Sequence, residues 1–72
     1  MMDFIKLHNA DNNSTVIIRI ELIAVIDTDT IIKGDSNRTV STIFLKEEAD
    51  MKEFKVNETP ERIYEMIEKL RQ

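Results

Sequence analysis

A chain of 72 residues with a formal net charge of -4, no cysteine and a single histidine is the size of one small domain. It has no means of forming disulfides or thiolate metal sites, and His8 alone makes a poor zinc site. The acidic balance argues against nucleic acid and anionic membranes as partners, because both demand dense positive charge.

The chain opens with Phe4-Ile5-Lys6-Leu7-His8, whose alternation predicts a strand over about 3–8. Ile5 and Leu7 share one face, and Phe4, Lys6 and His8 the other. Ala10-Asp11-Asn12-Asn13-Ser14 is a hairpin loop, since Asn and Asp tolerate positive φ and bond their own backbone. A second strand follows over 15–19.

Val16 to Ile26 reads as one long alternating strand or as two strands joined by a bend. We favour a bend or short helical turn at Arg19–Leu22, because an unbroken strand of that length is unusual. The third strand then runs over 22–32. Lys33 to Arg38 is the next turn and holds the only glycine, Gly34. Thr39-Val40-Ser41-Thr42-Ile43-Phe44-Leu45 is β-branched and predicts a fourth strand over 39–46. Glu47-Glu48-Ala49-Asp50 is a polar connection. A fifth strand covers 52–57, with Phe54 and Val56 inward and Glu53 and Lys55 outward.

The clearest signal is a helix over 60–71. Thr59 suits the N-cap and Pro60 the first helical position, where its missing N–H costs nothing. Glu58 and Glu61 sit where the positive helix end favours anions, and Lys69 and Arg71 sit at the negative end. Ile63, Ile67 and Leu70 form an apolar stripe that Met66 widens, and Glu65–Lys69 is an i,i+4 ion pair. The expected fold is therefore α+β: five antiparallel strands in one strongly twisted sheet, open or closed as an SH3-like barrel, followed by one C-terminal helix. The expected core is Ile5, Leu7, Ile18, Ile23, Val25, Ile43, Leu45, Phe54, Val56, Ile63, Ile67 and Leu70.

Catalytic and ligand-binding patterns are weak throughout. Asp27-Thr28-Asp29-Thr30 and Asp11-Asn12-Asn13 invite a calcium reading, but the twelfth position of each loop is Arg38 or Leu22 where a bidentate Glu is required. Glu47, Glu48 and Asp50 crowd a polar turn and lack the apolar pocket that raises a catalytic carboxyl. His8 has Ser14, Ser36 and Ser41 as conceivable nucleophiles, yet none lies in a nucleophile elbow. One glycine cannot build a phosphate cradle. Arg19, Lys33 and Arg38 with Phe4 or Tyr64 would make the only RNA-binding surface, and aromatic content is just 6 %, too little for a stacking platform. We expect no catalytic residues, cofactor or metal, and a non-enzymatic protein.

The order of these segments resembles the small flagellar FlbD (swarming-motility SwrD) family and its bacterial and phage relatives. The similar parts are Phe4 to Leu7, Val16 to Ile18, Leu22-Ile23-Ala24-Val25-Ile26, Thr39 to Leu45, and the junction Val56-Asn57-Glu58-Thr59 with its acidic, Ile-rich helix. Arg19 stands where that family has Asn, Glu48-Ala49-Asp50 replaces a glycine turn, and the loop from Gly34 to Arg38 looks longer. The resemblance implies a small accessory or protein-interaction module, linked in some members to flagellar motor output. The helix start Glu61-Arg62-Ile63-Tyr64 is similar to that of the carbon-storage regulator fold, which implies the alternative of an RNA-binding post-transcriptional regulator.

No h-region is visible at the N-terminus, and Arg19 and Glu21 interrupt the longest apolar stretch, so cytoplasmic residence without membrane insertion is the expectation. Sheet edges and apolar residues on both faces (Ile17, Ile23 and Val25 against Ile18, Ala24 and Ile26) call for a cover. A homo-oligomer, most simply a two-fold dimer, would supply it. A second, unidentified protein partner is the other expectation.

Overall fold

A computed structural model describes residues 3–46 and 53–72. Its elements are β1 (Phe4–His8), β2 (Thr15–Arg19), a 3-10 turn (Ile20–Leu22), β3 (Ile23–Lys33), β4 (Ser36–Leu45), β5 (Glu53–Val56) and α1 (Pro60–Arg71). The polar connection at 47–50 and the start expected for β5 at 52 lie outside the described residues.

The strands do not form the single sheet expected from sequence. β1 and β2 make one antiparallel pair, and β3-β4-β5 make a separate three-stranded antiparallel sheet. A lone antiparallel bridge, Asn9 to Val56, joins them. β2 and β3 share no ladder, because the 3-10 turn redirects the chain between them, so no barrel closes. The turn itself occupies the place where a bend was expected.

Local chemistry explains the two hairpins. In the β1–β2 loop, Asn9 Oδ1 accepts the Asp11 N–H at 2.8 Å and Asn12 Oδ1 accepts the Ser14 N–H at 3.0 Å. Each is the self-bonding turn that Asn favours, and Asn13 takes the positive φ of 60°. The β3–β4 connection is tighter than the expected 33–38 loop, since Lys33 pairs with Ser36 and only Gly34 and Asp35 turn. Gly34 has φ +61 and Asp35 is not in the positive region, the pattern of a type II′ turn with glycine first. What looked like a longer loop is therefore extra strand, and β4 begins at Ser36.

The core is smaller than expected and displaced in two places. Ile5, Leu7, Ile18, Ile43, Val56 and Ile63 form one buried cluster, with Ile23, Ile26, Leu45, Phe54, Met66 and Ile67 packed around it. Each such burial contributes about 1.5–3 kcal/mol relative to exposure. Val25, expected inside, is exposed. The β3–β4 register shifts between Ile23 and Val25, a bulge at Ala24 that turns Val25 outward beside Phe44 and sends Ile26 inward opposite Ile43. Leu70, also expected inside, is 48 % exposed: it faces an open groove shared with Phe4 and Met66.

Val40 and Ser41 were not expected in the interior, yet both are fully buried. Ser41 donates its hydroxyl to the Glu58 carbonyl at 2.7 Å. Val40 stands by register opposite Asn57. Arg38, on the same face, reaches across to the Asn57 side chain and to the Ala10 carbonyl at 3.5 Å.

α1 closes over the core through Ile63. Thr59 caps it, accepting the Arg62 N–H at 3.3 Å. The expected Glu65–Lys69 pair is replaced by Arg62–Glu65 at 3.8 Å, one turn closer to the N-terminus. Among the described residues no helix is long and apolar enough to cross a membrane.

Candidate functional site

The residues with chemical potential fall in three places. The first is the β5–α1 junction. Glu58 clamps His8 twice: Oε1 accepts the His8 main-chain N–H at 3.0 Å, and Oε2 lies 2.7 Å from Nδ1. Facing a carboxylate, that ring nitrogen is the donor. Partial burial pushes the Glu58 carboxyl up, but the two hydrogen bonds from His8 outweigh it and hold the group below its ordinary value. Next to it, Asn57 donates its main-chain N–H to the His8 carbonyl at 2.8 Å and its side-chain amide to Asn13 Oδ1 at 2.8 Å. His8 thus has a carboxylate to orient it, as a catalytic histidine would. Among the described residues no hydroxyl is bonded to its ring, and Ser41 spends its proton on the Glu58 carbonyl. The arrangement ties the β1 end to the β5–α1 junction.

The second place is the outer face of the three-stranded sheet. Asp27, Asp29, Thr42, Phe44, Glu53 and Lys55 line an open groove of about 420 Å³. Asp29, one of the candidate calcium ligands, is already engaged. Its Oδ1 accepts the Thr30 N–H at 2.8 Å, and its Oδ2 meets Lys55 Nζ at 3.2 Å and Thr42 Oγ1 at 3.0 Å. These contacts, the Thr30 amide first, hold its carboxyl low. No group of three or more metal-ligating side chains forms among the described residues. The carboxylates of 47, 48 and 50 lie outside them.

The third place was not foreseen. Phe4, Ile5 and Lys6 of β1 and Arg62, Glu65, Met66, Lys69 and Leu70 of α1 line a groove of about 380 Å³. Its apolar members Phe4 and Leu70 are 52 % and 48 % exposed. Arg62 is bridged to Glu65, whereas Lys6 and Lys69 have no ionic partner among the described residues. The sequence carried one signal for this groove: the apolar stripe of α1 continues to Leu70, beyond the residues that fill the core.

Of the cations considered for RNA, Lys33 and Arg38 line one pocket with Ala10 and Asp11, and Arg19 is not among its lining residues. Arg19 pairs with Glu21, Arg38 with Asn57, and Lys33 sits at the β3–β4 hairpin. Phe4 lies opposite Arg19 across β1–β2, while Tyr64 is exposed on α1. No protein-family model, curated protein or solved structure matches the chain.

Proposed function

We propose that this chain is a small non-enzymatic protein-interaction module, FlbD-like in the sense its segment order implies, and that the β1–α1 groove is its docking surface. The observation that carries the reading is the pair Phe4 and Leu70, two large apolar side chains left half in water on either side of a groove. Exposed apolar groups concentrated in a concave site are what partner recognition uses. A photoreactive phenylalanine analogue at position 4, with the same probe at Asp35 as control, tests it in lysate of the native host. The expected result is a discrete adduct from position 4 alone. Equal labelling from both positions, or none from either, would remove the groove from consideration.

A second copy of the chain is the other partner within this proposal. Val25 and Phe44, neighbours on the outer face of the β3–β4–β5 sheet, are the apolar surface such a dimer would cover. Light scattering at tens of micromolar checks this, and a mass of 8.4 kDa would mean a monomer. The RNA-binding alternative draws its best support from Lys6 and Lys69 beside the exposed Phe4. Micromolar binding to random RNA that falls steeply with salt would favour it.

A further inference from the structure

Among the described residues, the stretch of the β1 edge before His8 has no backbone partner on the groove side, and the reason lies in how β5 ends. The bonds that flank the β1–β2 ladder, Asn9 N–H to Ser14 and Ile20 N–H to Asp3, turn the odd-numbered residues of β1 toward β2. Even-numbered residues therefore point their N–H and C=O the other way. His8 shows where those groups go. Its N–H is taken by Glu58 and its C=O by the Asn57 N–H, so β5 runs antiparallel along this edge. Ala10 to Lys55 and Asn9 to Val56 extend the same line. Continued, it would place residue 59 beside Lys6. At that point Thr59 and Pro60 start α1, and the chain leaves the edge. The main-chain groups of Lys6 and Phe4 consequently face the groove, with no backbone partner among the described residues outside the β1–β2 ladder. That the groove is lined by three consecutive strand residues, Phe4, Ile5 and Lys6, fits an open strand edge.

We propose that an extended, acidic segment of a partner protein adds to this edge as a strand, taking up the line that β5 abandons at Pro60. This inference rests on the interaction reading above and names its partner. Main-chain N–H and C=O groups of the incoming segment satisfy those of Phe4 and Lys6, the usual source of affinity in strand addition. Apolar side chains of the segment cover Phe4, Met66 and Leu70. Its carboxylates meet Lys6 and Lys69, the two rim cations with no ionic partner among the described residues, on a chain that is net acidic. A basic segment would find no anion there except Glu65, which Arg62 already holds.

A capped peptide of alternating Glu and Val is the probe, titrated into the full-length protein and followed by amide chemical shifts and amide exchange. The expected result is saturable shifts at Phe4 and Lys6, slower exchange of the Lys6 amide, and loss of binding when alternate peptide nitrogens are methylated. A Lys–Val counterpart should bind about tenfold or more weakly, since two rim contacts change from attraction to repulsion. Lys69→Glu, on the exposed side of the last helical turn, should weaken the Glu–Val peptide by a similar factor without unfolding the chain. Equal affinity for the methylated peptide would mean docking by side chains alone and would overturn strand addition. So would shifts confined to Val25 and Phe44, no binding at millimolar peptide, or concentration-dependent shifts at Phe4 and Lys6 without peptide, which would mean that a second copy occupies the edge. A discrete adduct from position 4 with no peptide binding would leave the interaction module standing and remove only this partner.

Discussion

Replacing Glu58 by Gln isolates the contribution of charge at the β5–α1 junction. The carboxylate accepts two hydrogen bonds from His8 and sits just before the N-terminus of α1. A bond to a charged group contributes about 1.5–3 kcal/mol against about 0.5–1.5 for a neutral one, and an anion at a helix start adds about 0.3–1 kcal/mol. Glutamine keeps the shape but only one of the two acceptor oxygens, and its NH2 can bond the His8 ring only when Nδ1 is the unprotonated nitrogen, so the expected loss near neutral pH is about 1.5 kcal/mol. At about 4–8 °C per kcal/mol for a domain of this size, the melting temperature should fall by about 6–12 °C. The pH dependence gives the sharper check. Glu58 is held below its ordinary value in the folded state, so its stabilisation is complete above the unfolded pKa, about 4.3, and is lost as pH falls through the folded one. Thermal melts by circular dichroism from pH 7 to pH 3 should show the gap between wild type and E58Q narrowing below about pH 4. A constant gap across that range, or a gap that widens in acid, would refute the reasoning. It would mean that desolvation, not His8, governs the carboxylate.

Ile43→Ala empties the centre of the buried cluster and should cost about 2–4 kcal/mol, a large part of the stability of so small a domain; urea denaturation would show it as a lower midpoint at unchanged slope. Gly34→Ala places a Cβ at φ +61, where open space surrounds it but the backbone is strained, and a loss of about 1 kcal/mol in the same assay is expected. Asp29→Ala should leave the Thr30 N–H bare on the outer edge of β3 and promote growth beyond the wild-type mass in concentration-dependent light scattering; an unchanged mass would show that the edge is guarded by something else.

What could be read in advance was local. The Thr59-Pro60 start of α1, the Asn-rich loop and the bend before Ile23 are each announced by residues within a few positions of one another. The Ala24 bulge was not, because Ile23-Ala24-Val25-Ile26 is apolar throughout and offers no polar residue to fix the phase. Its position is decided by β4, whose Phe44 and Leu45 choose which residues they face. Division into two sheets likewise depends on ladders between distant segments. The groove became visible only when Phe4 and Leu70, from opposite ends of the sequence, came to line it together. In the sequence His8 ends a strand and Glu58 is an anion beside a helix start. Their pairing spans a separation of 50 residues, and no short-range pattern encodes it.

The four residues from Val56 to Thr59 bear on the order in which the molecule is assembled. Val56 bridges Asn9 and pairs with Ser41, Asn57 bonds His8, Glu58 bonds His8 and Ser41, and Thr59 starts the helix. During synthesis everything before them emerges with its tie points empty: a two-stranded hairpin, marginal alone in water, and a β3–β4 ladder with both edges open. Such a chain has high contact order for its length, so its refolding should be a single slow step, milliseconds or longer, and not the microsecond collapse of a helical bundle. Stopped-flow refolding would show it. The interval before residue 59 appears is when the nascent chain is most exposed to aggregation.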